Sequence, residues 1–192
     1  MTESRGRRCP WAESSEAMAE YHDREWGVPS HDDMHLFEML TLEGAQAGLS
    51  WAVVLAKRPR YRELYMGFDP AVVAAFGPDR QEVLLADPGI VRHRSKVAAS
   101  VTNAAAFIEV QRGFGSFASY LWGWVDGRPV VNHPAVAAEV APRSALAERL
   151  SADLKKRGFR FVGPTIVQSF LQAVGVIDDH LRGCPAKRRS EG

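Results

Sequence analysis

Residues 87–98 read Asp-Pro-Gly-Ile-Val-Arg-His-Arg-Ser-Lys-Val-Ala, and no other stretch of the chain says as much about the fold. A short helix that ends at Asp87, a tight turn at Pro88 and Gly89, and a second helix capped by Ser95 would together form a helical hairpin. Such a turn exposes backbone N–H groups and a helix N-terminus, and both suit a DNA phosphate. A plain connection between two helices is the alternative.

Basic side chains accompany this turn and recur elsewhere in the chain. Arg92, Arg94 and Lys96 follow it directly, and such residues bind DNA phosphates by releasing counterions. Further basic clusters lie at residues 57–62, 155–160 and 187–189. The formal net charge is only +1, so the overall charge does not indicate a nucleic-acid partner. The clusters leave two interpretations open: one basic DNA-binding face, or ordinary solvated helix faces.

Signals for helix starts occur along the whole chain, whereas strand signals are few. Helix starts are predicted at Ser14 or Ser15, Asp32 or Asp33, Ser50, Asp69-Pro70, Ser144 and Gly163-Pro164. Residues 159–162, Phe-Arg-Phe-Val, alternate in hydrophobicity as a strand does, but so short a segment cannot build a sheet alone. The pattern therefore predicts an all-α fold.

Length and composition indicate one ordinary globular domain. The 192 residues are 46% hydrophobic and 24% charged, which provides enough apolar material for a proper core. We expect a single domain over residues 1–192, with flexible ends at residues 1–7 and 186–192. No apolar stretch approaches the length of a membrane span, and the first residues lack the apolar core of a signal peptide. These features predict a cytoplasmic protein without a membrane partner, and we expect it to be a monomer.

The chain has only two cysteines, and each lies near a histidine at one end of the sequence. Twelve residues separate Cys9 from His22, and three separate His180 from Cys184. Two thiolates and two imidazoles form closed tetrahedral zinc sites, which are structural rather than catalytic. Two alternatives stay open: the cysteines can be ordinary buried apolar residues, or they can form a disulfide, which a reducing cytoplasm disfavours.

Glu43 is the acidic residue that stands out. It lies in residues 42–51, Leu-Glu-Gly-Ala-Gln-Ala-Gly-Leu-Ser-Trp, which are otherwise mainly small or apolar. On a helix it follows Met39 by four positions and precedes Ala47 by four, so it shares their buried side. Burying an unpaired carboxylate costs roughly several kcal/mol. Either a structural arginine partner or a ligand would justify that cost, and the residue alone favours the structural partner.

Aromatic residues accompany this carboxylate and the first pair of metal-ligand candidates. They are Trp11, Tyr21, Trp26 and Trp51. Aromatic rings beside a carboxylate can hold a flat, electron-poor ring by stacking and cation–π attraction, while the carboxylate accepts hydrogen bonds from the ring's edge. Packing in the core is the alternative for each aromatic residue taken singly.

Taken together, these motifs resemble the DNA-3-methyladenine glycosylase I family of the helix-hairpin-helix glycosylase superfamily. The similar segments are residues 8–11, 21–29, 36–39, 42–51, 89–94, 155–163, 179–180 and 183–184. They follow one another in order and cover nearly the whole chain. The resemblance implies an all-α, single-domain helix-hairpin-helix fold with one structural zinc ion that joins the N- and C-terminal segments. The ligands of that ion would be Cys9, His22, His180 and Cys184.

The resemblance also implies roles for residues of the site. Glu43 matches the carboxylate that recognises the base, and it is the candidate catalytic residue. Leu49 matches the segment that fills the gap left by an extruded nucleotide, so it is the candidate wedge. The base-binding residues would be Trp11, Tyr21, Trp26 and Trp51. Contacts to the DNA backbone would come from Gly89, Arg92, Arg94 and Lys96.

For function, the resemblance implies a monofunctional hydrolase of base excision repair. It would extrude N3-methyladenine from alkylated double-stranded DNA and cleave the glycosidic bond. Met18 stands where many relatives have an aromatic residue, which leaves open a preference for another alkylated purine. The other alternative is a non-catalytic helix-hairpin-helix DNA-binding module. Glu109 is the only acid between Lys96 and Asp126, so the superfamily's usual catalytic aspartate is missing, as it is in this family.

Overall fold

The computed structural model describes residues 6–187, and these residues are mostly helical. Their α-helices are α1 Glu16–Arg24, α2 Asp33–Gln46, α3 Trp51–Leu64, α4 Pro70–Ala74, α5 Pro78–Ala86, α6 Arg94–Phe114, α7 Phe117–Gly123, α8 Ala145–Lys156 and α9 Pro164–Ala173. Short 3-10 helices occupy Pro10–Ser14, Met66–Phe68 and Ala137–Glu139. The prediction of a helical fold is confirmed, with one small addition.

That addition is a pair of two-residue parallel strands that the sequence did not predict. Strand β1, Val130–Val131, pairs with β2, Ile177–Asp178, so that Val130 lies opposite Ile177. The segment with strand-like alternation, residues 159–162, forms no strand. Its backbone groups are used otherwise, because the Asn103 amide donates to the carbonyl of Arg160 and accepts from the N–H of the same residue.

Most helices begin at the predicted caps. Side-chain oxygens accept from backbone N–H groups at Ser15, Asp32, Asp69 and Ser144. Each cap satisfies a donor that the first turn of a helix leaves free. The prediction for Ser95 is wrong: α6 begins at Arg94 with His93 as its N-cap residue, and Ser95 lies inside the first turn.

Helix α2 is the central element of the fold. Every residue from Leu36 to Ala45 is buried, so this helix is enclosed on all sides rather than amphipathic. It packs against α3, α6, α7 and α9. Because Glu43 lies in the last turns of this enclosed helix, it is buried.

The expectation of flexible ends at residues 1–7 and 186–192 concerns mainly residues that the structure does not describe. Residues 1–5 and 188–192, including the basic pair Arg188 and Arg189, lie outside the described residues. Lys187 is described, and its ammonium donates to the carbonyls of Asn132 and Asp178. Within residues 6–187, no helix combines the length and hydrophobicity needed to cross a bilayer.

Asp33 ties the start of α2 to α6 and α7. Its carboxylate accepts from the N–H groups of Phe117 and Ala118 at 2.9 and 2.8 Å, and from the Gln111 amide at 2.8 Å. We expect Asp33→Ala to lower the free energy of unfolding by about 2 kcal/mol, because three donors lose their acceptor. Urea denaturation measures this value. The exposed Asp79→Ala control in α5 should stay within about 0.5 kcal/mol of the wild type; equal effects of the two changes would contradict this account.

Candidate functional site

The two ends of the described chain meet in a buried cluster of thiols and imidazoles. Cys9, His22 and Cys184 are all buried, and their ligand atoms lie within 4.8 Å of one another. Cys184 Sγ lies 3.4 Å from His22 Nε2. Both cysteines are free thiols, so the disulfide alternative is not formed. The fold thus brings together three of the four predicted metal ligands.

His180, the fourth predicted ligand, lies beside this group but is not one of the residues whose ligand atoms lie within 4.8 Å of one another. Its ring centroid is 4.9 Å from that of His22. The Nδ1 atom of His180 pairs with Asp178 Oδ1 at 2.8 Å, and its buried Nε2 atom has no hydrogen-bond partner among residues 6–187. A carboxylate on Nδ1 leaves the lone pair on Nε2, which is how metal-binding histidines are usually oriented.

A neighbouring carboxylate orients His22 in the same way. Its Nδ1 atom pairs with Asp23 Oδ1 at 2.8 Å, so its Nε2 atom is directed towards Cys184. Burial lowers the pKa of His22 and raises the pKa of Cys9 to about 11. These shifts keep the imidazole neutral and the thiol protonated. A bound divalent cation would reverse the shift of the thiol, because it stabilises thiolate.

Aromatic rings extend from this cluster to a cavity. The Trp26 ring lies 4.5 Å from the His180 ring and 5.1 Å from the Trp11 ring, measured between centroids. The Trp11 ring lies 6.3 Å from Tyr21, whose ring in turn lies 5.2 Å from Trp51. All the predicted base-binding aromatics therefore belong to one continuous group, and it forms part of the wall of a cavity of about 330 Å³.

Polar residues complete the wall of that cavity, and the sequence alone did not indicate them. They are Gln46, Ser169, Gln172 and Asp179. Asp179 is buried, and its two oxygens accept from Asn132 Nδ2 and Gln172 Nε2, each at 2.7 Å. A fixed carboxylate beside the aromatic wall favours a positively charged ligand. The only signal for Asp179 in the sequence is its position directly before His180.

Glu43 is buried as predicted, with only 4% of its surface exposed. Its Oε2 atom has no hydrogen-bond partner among the described residues, so the structural arginine that we considered is not present at this atom. Burial raises the pKa of Glu43 to about 8. Glu43 is not among the residues that line the cavity. Glu43 lies close to Tyr21. Burial and the nearby Glu43 carboxylate both raise the pKa of the Tyr21 phenol.

Met18, which stands where many relatives have an aromatic residue, does not form part of the cavity wall. Its side chain is buried in α1, and it is absent from the residues that line the cavity. Met18 is thus one of the buried apolar residues of the protein.

The hairpin between α5 and α6 differs from the expectation that its turn exposes N–H groups. The N–H of Gly89 donates to Asp87 Oδ1 at 2.7 Å, and the N–H of Val91 donates to the Tyr61 hydroxyl at 3.1 Å. These donors are therefore used within the protein. Free N–H groups belong instead to the first turn of α6, where a helix has no internal acceptors.

The basic residues of the hairpin are also not equivalent. Arg92 is exposed, whereas the guanidinium of Arg94 pairs with the Glu82 carboxylate at the surface. Lys96 does not extend into solvent as a phosphate contact would: its Nζ atom donates to the carbonyls of Ala45 and Ala47 at 2.8 and 2.6 Å. These bonds occupy two donors of the ammonium, and the contact of Lys96 with the DNA backbone stays a prediction.

Leu49, the predicted wedge, lies at the surface between α2 and α3. Its side chain is 43% exposed. Gly48 before it has a φ of +82°, a left-handed conformation that glycine adopts without strain. The turn at this glycine directs an apolar side chain outward, which is the placement that a wedge needs.

Comparison with known proteins agrees with this geometry. The family model of the methyladenine glycosylases matches residues 11–188. DNA-3-methyladenine glycosylase 1 of Escherichia coli is 44% identical over 177 residues, which cover 92% of this chain and 95% of that protein. The DNA-3-methyladenine glycosylase of Haemophilus influenzae is 41% identical over 180 residues, or 94% of this chain and 97% of that protein. The structure of 3-methyladenine DNA glycosylase I from Staphylococcus aureus, solved to explain 3-methyladenine recognition, has a TM-score of 0.92 at 37% identity and covers 95% of this chain and 97% of that one.

The buried carboxyl of Glu43 should make stability depend on pH. Its folded pKa of about 8 exceeds the ordinary value of 4.5, so unfolding releases a proton between these values and stability falls as pH rises. Glu43→Gln removes this penalty, which is on the order of 3 kcal/mol at pH 7. We expect the melting temperature of Glu43→Gln to exceed that of the wild type by more at pH 7.5 than at pH 5. A difference that calorimetry finds independent of pH would show that the carboxylate is not buried in solution.

Proposed function

Because the chain belongs to the methyladenine glycosylase family, we propose that it hydrolyses the glycosidic bond of N3-methyladenine in alkylated DNA. One observation carries this proposal: an unpartnered, buried carboxylate, Glu43, lies close to Tyr21, one of the aromatic residues that line the cavity. A group of that kind lowers stability and is retained for a ligand. The relatives in Escherichia coli and Haemophilus influenzae are named for the same reaction.

The chemistry of the lesion explains why so few catalytic groups are needed. Methylation at N3 places a positive charge on adenine, so cleavage of the glycosidic bond expels a neutral base without a strong acid. The enzyme must extrude the base, hold it and admit water. Damaged and weakly paired bases cost least to extrude, which gives a first layer of selectivity. The missing aspartate of the superfamily agrees with this limited requirement, and Glu109 projects into solvent, where it pairs with Arg112.

Tyr21 and Trp51 would hold the extruded base by stacking. Their centroids are 5.2 Å apart, and a ring between them needs about 7 Å, which is two contacts of 3.5 Å. Binding therefore requires the rings to separate. Trp51 is the first residue of α3 and its buried Nε1 atom has no hydrogen-bond partner among residues 6–187. Movement of the Trp51 ring therefore breaks no side-chain hydrogen bond. Cation–π attraction to the charged base favours the conformation in which the Tyr21 and Trp51 rings are separated.

Separation of these rings would also give the base access to Glu43. The carboxylate accepts from the amino group of adenine, whereas the carbonyl of a guanine would face it with another acceptor and be rejected. A cationic base lowers the pKa of a nearby carboxyl. Binding of the charged lesion would therefore favour transfer to water of the proton that burial keeps on Glu43 in the free protein.

DNA would be held by the α5–α6 hairpin, which acts as the helix-hairpin-helix element. The first turn of α6 offers free N–H groups, and Arg92 adds an exposed cation. A non-catalytic DNA-binding module would need these features but not a buried Glu43. A preference for another alkylated purine loses support, because Met18 does not line the cavity. We infer that the substrate is double-stranded DNA and that the protein acts as a cytoplasmic monomer.

Zinc is the metal that best fits the buried cluster. Cys9, His22, His180 and Cys184 provide two sulfur and two nitrogen donors, the set of closed structural zinc sites. The unpartnered Nε2 atom of His180 and the carboxylates on the opposite ring nitrogens support this assignment. Zinc would fasten the chain ends and neutralise the thiolates. The reaction itself would rest on Glu43 and the aromatic residues.

The proposed function predicts that Glu43→Gln folds but loses base release. We expect the rate of 3-methyladenine release from methylated duplex DNA to fall by about 100-fold or more, because the amide cannot supply the charge that holds the cationic base. Mass spectrometry of the free bases measures release. Glu109→Gln, an exposed carboxylate, is the matched control and should release the base at the wild-type rate. Undiminished release by Glu43→Gln would remove Glu43 from its role.

The metal assignment predicts one zinc ion per chain in elemental analysis of the purified protein. Cys9→Ser should lose the metal and lower the melting temperature by at least several degrees, because metal-binding free energy contributes to folding. His133→Ala, which alters an exposed histidine, should retain the metal. A metal-free wild-type protein with an unchanged melting temperature would refute the assignment.

A further inference from the structure

Lys96 has an unusual position for a basic residue of a DNA-binding hairpin. Its ammonium donates to the carbonyls of Ala45 and Ala47, at 2.8 and 2.6 Å. These carbonyls end α2, where a helix leaves its acceptors without internal partners. A cation at this end also interacts favourably with the helix dipole. Lys96 therefore joins α6, which begins in the hairpin, to the end of the helix that carries Glu43.

The other side of the same loop is fastened to the hairpin as well. Lys57 of α3 donates from Nζ to the carbonyl of Pro88 at 2.6 Å. Arg60, also of α3, donates from Nε and Nη2 to Asp87 Oδ2 at 3.0 and 2.6 Å. The loop of residues 47–50 runs between α2 and α3. Both helices that flank this loop are therefore attached to the hairpin, one through Lys96 and the other through Lys57 and Arg60.

From this arrangement we propose that Lys96 is a positioning residue that fixes the Leu49 loop against the hairpin. Phosphates held by the hairpin then place the exposed Leu49 side chain at a set distance from the DNA backbone. The inference deepens the proposed glycosylase function and rests on it. It assigns Lys96 a role different from that of Arg92, although both are basic residues of the same segment.

The bonding of the ammonium favours the positioning role over a phosphate contact. An ammonium has three donors, and two carbonyls occupy two of them. The side chain is half-buried, whereas Arg92 is exposed. Turning Lys96 towards a phosphate would leave the last carbonyls of α2 without this donor and release the loop.

The test compares Lys96→Gln with Arg92→Gln. We expect Lys96→Gln to slow single-turnover release of 3-methyladenine from methylated duplex DNA by about 10- to 100-fold, because the wedge is misplaced. Its affinity for undamaged duplex should keep the wild-type dependence on salt. Arg92→Gln removes a phosphate contact, so its plot of log affinity against log salt should lose about one unit of slope. A loss of slope in Lys96→Gln would identify a phosphate contact and overturn the proposal.

A double-mutant cycle with Leu49→Ala tests whether Lys96 acts through the wedge. If it does, the double variant should be at most about 2-fold slower than the slower single variant. Rate losses that multiply, an unaffected Leu49→Ala, or a wild-type rate in Lys96→Gln would each overturn the proposal. A wild-type protein that releases no base would overturn the proposed function itself, and this inference with it.

Lys96→Arg keeps the test decisive if Lys96→Gln does not fold at the assay temperature. Arginine retains the positive charge but has a longer, planar head that changes the spacing to the two carbonyls. We expect slower release with an unchanged salt dependence. Release by Lys96→Arg at the wild-type rate would show that charge alone suffices, and would contradict a positioning role.

Discussion

The structure depends on the meeting of its two chain ends around buried sulfur and nitrogen atoms. Cys184 and His22 are 162 positions apart in the sequence, yet their ligand atoms lie 3.4 Å apart. The aromatic wall of the cavity adjoins this contact, because the Trp26 ring packs on the rings of both His22 and His180. Gly27 permits the close approach: a Cβ atom there would lie 2.6 Å from the His180 ring. Fixing the chain ends therefore also fixes the site.

Two buried carboxylates near the cavity differ in whether hydrogen bonds compensate for their burial. Asp179 accepts hydrogen bonds from Asn132 and Gln172, so its burial is compensated. Glu43 has no such partner at Oε2, and its burial is left uncompensated. A cationic base would supply the missing charge, and a carboxylate already surrounded by donors would gain far less from it. The carboxylate without partners is therefore the better candidate for recognition.

The sequence predicted the local features well because they depend on local chemistry. The caps at Ser15, Asp32, Asp69 and Ser144 need only a side-chain oxygen within three residues, and all of them form. The burial of Glu43 followed from helical spacing with apolar neighbours. The roles of the residues came from the family resemblance, since spacing alone left zinc, disulfide and core packing open.

Features that depend on distant parts of the chain were missed. The paired strands contain two residues each and carry no recognisable alternation. Gln172 and Asp179 reach the cavity only because the C-terminal segment returns to α1. The sequence shows a lysine at position 96 but not the carbonyls of Ala45 and Ala47 that accept from it. Because Lys96 of α6 caps the end of α2, this cap cannot be recognised from the sequence of either helix alone.

The hairpin uses much of its polar bonding capacity within the protein, and this affects how DNA would be searched. Each phosphate contact adds affinity for every sequence and steepens the dependence on salt. Gly89 and Lys96 are bonded internally, whereas the exposed Arg92 could bind a phosphate without first breaking an internal bond. The surface pair of Arg94 and Glu82 is weak enough to be exchanged for a phosphate. A low affinity for undamaged DNA would suit a protein that must examine many undamaged bases. Selectivity would then come from extruding the damaged base and binding its positive charge.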